Sequence, residues 1–321
     1  MNQTVSDLTP LVSQARLAAR QLAAASPMAK NQALLGVAQQ LHHQQEAILA
    51  ANQLDLEAAQ QAGLSGPKLD RLRLTPSVMA TLIEGLHQVA AMPDPIGEIE
   101  HLQIRPNGLQ VGQMRVPLGV VGFIYESRPN ATVEAASLTL KSGNAIVLRG
   151  GKEALRSNQL LVQLFQEALL EAQLPAAAVV LVPTTDRGAI LELCHMGGLI
   201  DLLIPRGGRE LIELVQREAR MPVLAHAEGV NHLYFDQGAD PQMGLDLIHN
   251  SKVQRPGTCN SLEKVLVHQD EATTLLPRLA TLMEQAGVEV RGCPRSLTVV
   301  PGWKAATPAD WSTEYLDLIL T

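Results

Sequence analysis

The chain has 321 residues, 46% of them hydrophobic and only 2% aromatic, with a formal net charge of −7 at pH 7. That length and apolar content suffice for more than one buried core. The acidic balance, the absence of a basic block and the scarcity of aromatic rings exclude the charge footprint and stacking platforms of a nucleic-acid binder. Three cysteines, Cys194, Cys259 and Cys293, are odd in number and far apart, which fits neither a disulfide framework nor a zinc pattern. They read as reduced thiols of a cytoplasmic protein, and no metal is expected. The opening "MNQTVSDLTPLVSQARLAAR" lacks a basic segment followed by an apolar one, so it does not read as a signal peptide. The apolar run "VPLGVVGFIY" (116–125) is too short to span a membrane.

The first part of the chain predicts helices. Ser26 followed by Pro27 is an N-cap signal, and the Ala/Leu/Gln-rich run behind it extends to about Ala62 and stops at Gly63. Thr75 and Pro76 repeat the signal before "SVMATLIEGLHQVAAM", and "PDPIG" (93–97) closes the helical region. Asn107 and Gly108 then stand between two short apolar-alternating runs, a strong hairpin signal.

Strands and helices alternate from there. "NAIVLRGG" (144–151), "AVVLVP" (178–183), "LIDLLIPRGG" (199–208) and "PVLAH" (222–226) read as strands, with helices in "RSNQLLVQLFQEALLEAQ", "RGAILELCHM" and "RELIELVQREAR". This is βαβ alternation, which implies a parallel sheet with helices on both faces and ligands beyond the carboxyl ends of its strands. The pattern restarts after a boundary near 222–229. A helix in "PQMGLDLIHNSKVQ" runs into "QRPGTCNS" (254–261), followed by a strand in "LEKVLVH" and a helix around "TTLLPRLATLMEQAG". The fold class is therefore α/β throughout.

Two strand ends carry candidate chemistry. At "RGGK", Gly150 and Gly151 lie between Arg149 and Lys152, where a phosphate can approach the backbone and pair with either cation. At "PRGG", Arg206, Gly207 and Gly208 open a helix whose amides can face a pyrophosphate. Neither is a G-x-G-x-x-G fingerprint, and tight turns that need glycine φ angles explain each equally well. With no carboxylate between Gly150 and Lys152, a nucleotide site here suits the 2′-phosphate of NADP.

Among the cysteines, Cys194 lies in an apolar helix and Cys293 in a turn, "VRGCPRS". Cys259 follows a proline and a glycine and so lies on a loop. Lys252 and Arg255 upstream offer positive charge to a thiolate, and the Cys259 and Asn260 N–H groups are placed to meet the carbonyl it attacks. Local chemistry leaves nucleophile and bystander equally open.

"YESRPN" (125–130), "SGNAIVLRGGKEALRSN" (142–158), "DLLIPRGG" (201–208) and "QRPGTCNS" (254–261), in that order, resemble the gamma-glutamyl phosphate reductases. These enzymes, also called glutamate-5-semialdehyde dehydrogenases, belong to the aldehyde dehydrogenase superfamily. The likeness runs to "EYLDLIL" (314–320) and so covers essentially the whole chain. It implies a Rossmann-like NADP-binding domain with N-terminal helices over 1–225, a hairpin over about 99–117 used in homo-oligomerisation, and a catalytic domain from 226 to 321. It implies NADPH-dependent reduction of L-glutamyl 5-phosphate through a Cys259 thioester, with release of phosphate, in proline biosynthesis. Asn130 is then a candidate oxyanion donor, with a helix cap as the plainer alternative. Arg255 and Asn260 are candidate substrate contacts, and no nucleic acid or membrane is involved. At the position where hydrolytic relatives carry a glutamate base, "LAHAEG" brings His226 rather than Glu228, and neither is assigned a catalytic role. Family members continue beyond "EYLDLIL", so the resemblance also implies a catalytic domain cut within a strand whose sheet neighbours are missing. Two other readings stand beside this one: a broader NAD(P)-dependent aldehyde dehydrogenase, and a non-catalytic remnant that binds NADP.

Overall fold

The computed structural model describes residues 7–225 and 229–321. The chain divides into two units, Met1–Ala225 and His226–Thr321.

The first unit opens with helices α1 (Thr9–Leu22), α2 (Pro27–His43), α3 (Gln45–Gln61), α4 (Pro67–Leu72) and α5 (Pro76–Ala91). Strands β1 (Ile99–Ile104) and β2 (Gln110–Met114) follow, then β3 (Val120–Tyr125), α6 (Pro129–Lys141), β4 (Ala145–Arg149), α7 (Leu155–Glu171), β5 (Val179–Leu181), α8 (Gly188–His195), β6 (Leu202–Arg206) and α9 (Arg209–Glu218). Ser26 and Thr75 accept the Ala29 and Val78 N–H groups, so both caps signalled by sequence form. The run expected as one helix to Ala62 is two. Gln44 leaves the helical region (φ −97°, ψ 13°), and α2 packs on α5 and α7 while α3 packs on α7 and α4.

Strands β3 to β6 form a parallel sheet in the order β5-β4-β3-β6. Successive side chains of a strand point to opposite faces. On β4, Ile146 and Leu148 join the core under α2, α5, α6 and α7, whereas Ala145 and Val147 join the core under α1, α8 and α9. Full burial on both faces explains why this strand reads as an unbroken apolar run. The expected strand in "PVLAH" is reduced to one bridge, Leu203 to Val223, where the Leu203 N–H donates to the Pro222 carbonyl and the Leu224 N–H to the Leu203 carbonyl. His226 and Glu228 lie outside the described residues.

The hairpin forms at the expected place. The Arg105 N–H donates to the Leu109 carbonyl across Asn107 and Gly108, and Gly108 takes φ +82°, where a side chain would be strained. Its apolar residues face solvent, among them Leu102, Ile104, Leu109 and Met114.

The second unit pairs β7 (Asn231–Phe235) with β8 (Leu262–Val267) in parallel, with α10 (Pro241–Val253) between them in sequence. After it come α11 (Ala272–Gln285), β9 (Glu289–Gly292), α12 (Pro294–Val299), β10 (Lys304–Ala305) and β11 (Ile319–Leu320), with β9 lying between β10 and β11. Contrary to the expectation from sequence, "LDLIL" has sheet neighbours within the chain. Ile319 and Leu320 pair with β9, and Thr321 exchanges backbone hydrogen bonds with Glu263 and Val265 of β8. Leu320 is buried with Phe235, Ile248 and Val290, so this strand contributes to the core of the unit.

Candidate active site

In the first unit, three of the quoted motifs meet at the carboxyl edge of one sheet. Ile124 pairs with Arg149 on one side of β3, and Tyr125 pairs with Arg206 on the other. Asn130 follows at the second position of α6. It is not the cap, which falls on Arg128. Its amide donates to Glu134 Oε1 at 3.0 Å, one turn on.

The glycines at this edge are demanded by space rather than by φ. None of Gly150, Gly151, Gly207 and Gly208 has a positive φ. A Cβ on Gly150 would collide with the Asn158 amide, and one on Gly151 with the Glu153 carboxylate. Behind Gly150, Tyr125 Oη and Thr132 Oγ1 are 2.6 Å apart, and Thr132 Oγ1 donates to Asn158 Oδ1 at 2.9 Å. Burial pushes the Tyr125 hydroxyl well above the ordinary tyrosine range, so it stays protonated and serves this network. Asp55 reaches across from α3 to accept the Ser157 N–H and Oγ–H, both at 2.8 Å, which satisfies a donor at the start of α7.

Arg149 is not the open phosphate partner expected from sequence. It is buried, and its guanidinium donates to the Thr185 carbonyl at 2.8 Å and to the Asp186 and Gly150 carbonyls at 3.2 Å. Burial lowers its pKa, while Glu153 and Glu126 oppose that shift. Lys152, in contrast, is exposed at the mouth of the turn. Two carboxylates that sequence reasoning passed over hold the β3 end: Glu153 accepts the Ser127 N–H at 2.6 Å and its Oγ–H at 2.8 Å, and Glu126 Oε2 accepts the Gly208 N–H at 3.3 Å. Gly207 packs against Leu211 and Glu126, whereas the space a Cβ would take at Gly208 is open.

In the second unit, Cys259 is exposed on a turn between α10 and β8. The turn holds itself: the Thr258 N–H and Oγ–H both donate to the Arg255 carbonyl, and the Ser261 N–H donates to the Thr258 carbonyl. Arg255 and Asn260, on the same turn, are exposed too. Lys252 does not serve as the cation sequence suggested. It is wholly buried, with Nζ 3.5 Å from Glu263 Oε1, and Glu263 is wholly buried too. Burial lowers the Lys252 pKa and Glu263 opposes the shift. The pair ties the end of α10 to the start of β8 and so clamps the base of the cysteine turn. The other thiols differ. Cys194 is buried and its pKa is pushed up to about 11 by that burial. Cys293 is half-buried at the cap of α12, with Sγ 2.9 Å from Ser296 Oγ.

No cluster of His, Cys, Asp and Glu that could hold a metal occurs among the described residues, and none of their helices is long and apolar enough to cross a membrane.

The aldehyde dehydrogenase family model matches residues 1–295. The gamma-glutamyl phosphate reductase of Meiothermus ruber is 65% identical over 318 residues, 99% of this chain and 76% of its own length. That of Thermus thermophilus is 56% identical over 320 residues, again 99% and 76%. The chain belongs to the aldehyde dehydrogenase family, among its gamma-glutamyl phosphate reductases. The crystal structure of gamma-glutamyl phosphate reductase from Thermotoga maritima matches with a TM-score of 0.95 at 41% identity, over 98% of this chain and 76% of that one. The chain is thus an oxidoreductase of a family that uses a nicotinamide dinucleotide.

Proposed function

We propose that this chain reduces L-glutamyl 5-phosphate to L-glutamate 5-semialdehyde, with release of phosphate, in proline biosynthesis. The observation that carries the reading is an exposed cysteine on a clamped turn in a chain 65% identical to a gamma-glutamyl phosphate reductase. Cys259 thiolate attacks the acyl carbon, the carbon–oxygen bond to phosphate breaks, and a thioester remains on Sγ. A thiol suits this step because its thiolate is strongly nucleophilic and its ester is activated. Bound NADPH supplies the hydride that reduces the thioester. The resulting thiohemiacetal oxyanion collapses, frees the aldehyde and returns Cys259 as thiolate. The Asn260 N–H is the proposed backbone donor to the oxyanion. Asn130 is proposed as a side-chain donor on the family resemblance alone; within its own unit its amide donates to Glu134. Arg255 is the proposed partner of the substrate's charged groups.

The first unit fits a dinucleotide at the carboxyl edge of its sheet. The open space at Gly208 and the exposed Lys152 are the features that fit, and Gly150, Gly151, Arg206 and Gly207 shape the turns around them. We assign NADP preference to Lys152 and give Arg149 the task of holding the 185–186 loop. The exposed apolar hairpin is the proposed contact between copies of the chain, and the unpaired thiols suit the reducing cytoplasm. The reverse reaction tests the function: phosphate-dependent reduction of NADP with glutamate-5-semialdehyde. Turnover that proceeds without phosphate would instead favour a hydrolytic aldehyde dehydrogenase.

A further inference from the structure

We propose that Asn231 is the positioning residue of the Cys259 turn, an inference that rests on the reading of Cys259 as nucleophile. Asn231 is the first residue of β7. Its amide nitrogen donates to the Cys259 carbonyl at 2.9 Å and to the Ser261 carbonyl at 2.8 Å, with the Gly229 carbonyl at 3.3 Å beside them. A primary amide has two protons, and the two short bonds use both.

The strand pairing is built to allow this. Asn231 stands opposite Leu262, but His232 stands opposite Lys264, so Glu263 is an extra residue on β8. A bulge re-aims the side chains around it. Here it accompanies the turn of Glu263 toward the buried Lys252 and the reach of Asn231 to carbonyls on either side of Asn260. Gly229 completes the frame, because a Cβ there would overlap the Cys259 carbonyl oxygen.

The consequence for chemistry follows from peptide planarity. The Cys259 carbonyl and the Asn260 N–H belong to one trans peptide unit and point in opposite directions. Fixing the carbonyl on Asn231 therefore fixes the direction of the Asn260 N–H, the proposed backbone donor to the oxyanion. Asn231 touches no reacting atom; it acts through the peptide plane next to the nucleophile.

The test compares the parent chain with Asn231→Ala, the near-isosteric Asn231→Asp, which offers the carbonyls a carboxylate instead of donors, and Gly229→Ala. Hydrogen exchange read by mass spectrometry should rise about tenfold or more in peptides covering 255–262 and stay unchanged across α11. kcat for phosphate-dependent NADP reduction should fall by about 10- to 100-fold, the scale expected when a catalytic group is misplaced by about 1 Å. KM for NADP should stay within about twofold, since the cofactor features lie on the first unit. Asn231→Asp should be worse than Asn231→Ala. Unchanged exchange at 255–262, or a uniform rise across the second unit with kcat per folded molecule intact, overturns the proposal. A parent chain with no phosphate-dependent turnover would count against the function instead, and the exchange data would still decide the role of Asn231.

Discussion

The glycine turns of the first unit and the cysteine turn of the second both follow the pattern of small residues beside a parallel strand, yet they are filled in opposite ways. At Gly150, Gly151 and Gly207 the missing side chains make room for Asn158, Glu153, Leu211 and Glu126. At Cys259 the turn is exposed, and its supports, the Lys252 and Glu263 pair and Asn231, stand at its base. The lesson is that glycine and a cation beside a strand end do not by themselves mark a ligand contact. Arg149 is buried among carbonyls, whereas Lys152, three residues on, is exposed.

The largest effect is expected at the thiol. Cys259→Ala should lower turnover by on the order of 10³-fold or more while cofactor binding, followed by fluorescence titration, stays at the parent value. Parallel loss of binding would mean that the substitution unfolds more than the turn.

The clamp comes next. Glu263→Gln leaves Lys252 buried without its counter-charge and should cost about 3–5 kcal/mol in denaturant unfolding. Replacing both partners by apolar residues should recover only part of that loss, because Glu263 also accepts the Tyr315 and Leu316 N–H groups. The pH dependence has a definite sign. Without Glu263, the already lowered Lys252 pKa falls further in the folded state, while the unfolded value stays near 10.5. As pH rises through the folded value, the buried lysine becomes neutral and the penalty fades, so the deficit should shrink from pH 7 toward pH 10. A deficit that is flat across this range would show that Lys252 is not the group responsible.

Cofactor choice sharpens the contrast between the two cations of the β4 turn. Lys152→Glu should shift preference from NADPH toward NADH by about 10- to 100-fold, the worth of one charge-assisted bond to a phosphate. Arg149→Ala should leave selectivity alone and lower stability, because it strands the Thr185 and Asp186 carbonyls. Equal NADPH and NADH affinities in the parent would refute the assignment of Lys152.

Much of the fold is legible locally. Asn107 and Gly108 announce the hairpin, Ser26 and Thr75 announce helix starts, and the apolar run of β4 announces a strand buried on both faces. The position of Cys259 on a turn follows from Pro256 and Gly257 before it. What sequence hides is contact between distant residues. Asp55 meets Ser157 from 102 positions away, Glu153 meets Ser127 from 26, and Asn231 meets Cys259 from 28. No periodicity records such pairs. Lys252 misleads for the same reason: its closeness in sequence to Cys259 suggests a cation for the thiol, but its partner Glu263 lies past the turn. "LDLIL" misleads because a short parallel strand finds its neighbours in β8 and β9, which come earlier in the chain.

The smallest effect is expected at the other thiols. Cys194, raised to about 11 by burial, should resist iodoacetamide at pH 7.5, roughly the usual assay range, while Cys259 labels readily. Cys293, half-buried, provides an internal reference. Activity loss that tracks Cys194 or Cys293 would move the nucleophile elsewhere.

Trapping the thioester tests the role of Cys259 most directly. Incubation with glutamate-5-semialdehyde and NADP in the absence of phosphate leaves the acyl enzyme without its acceptor, and rapid acid quench followed by peptide mass spectrometry locates the acyl group. The expected result is a glutamyl adduct on the peptide carrying Cys259, discharged by added phosphate. An adduct on Cys194 or Cys293, or reduction of NADP with no adduct on Cys259, would contradict it.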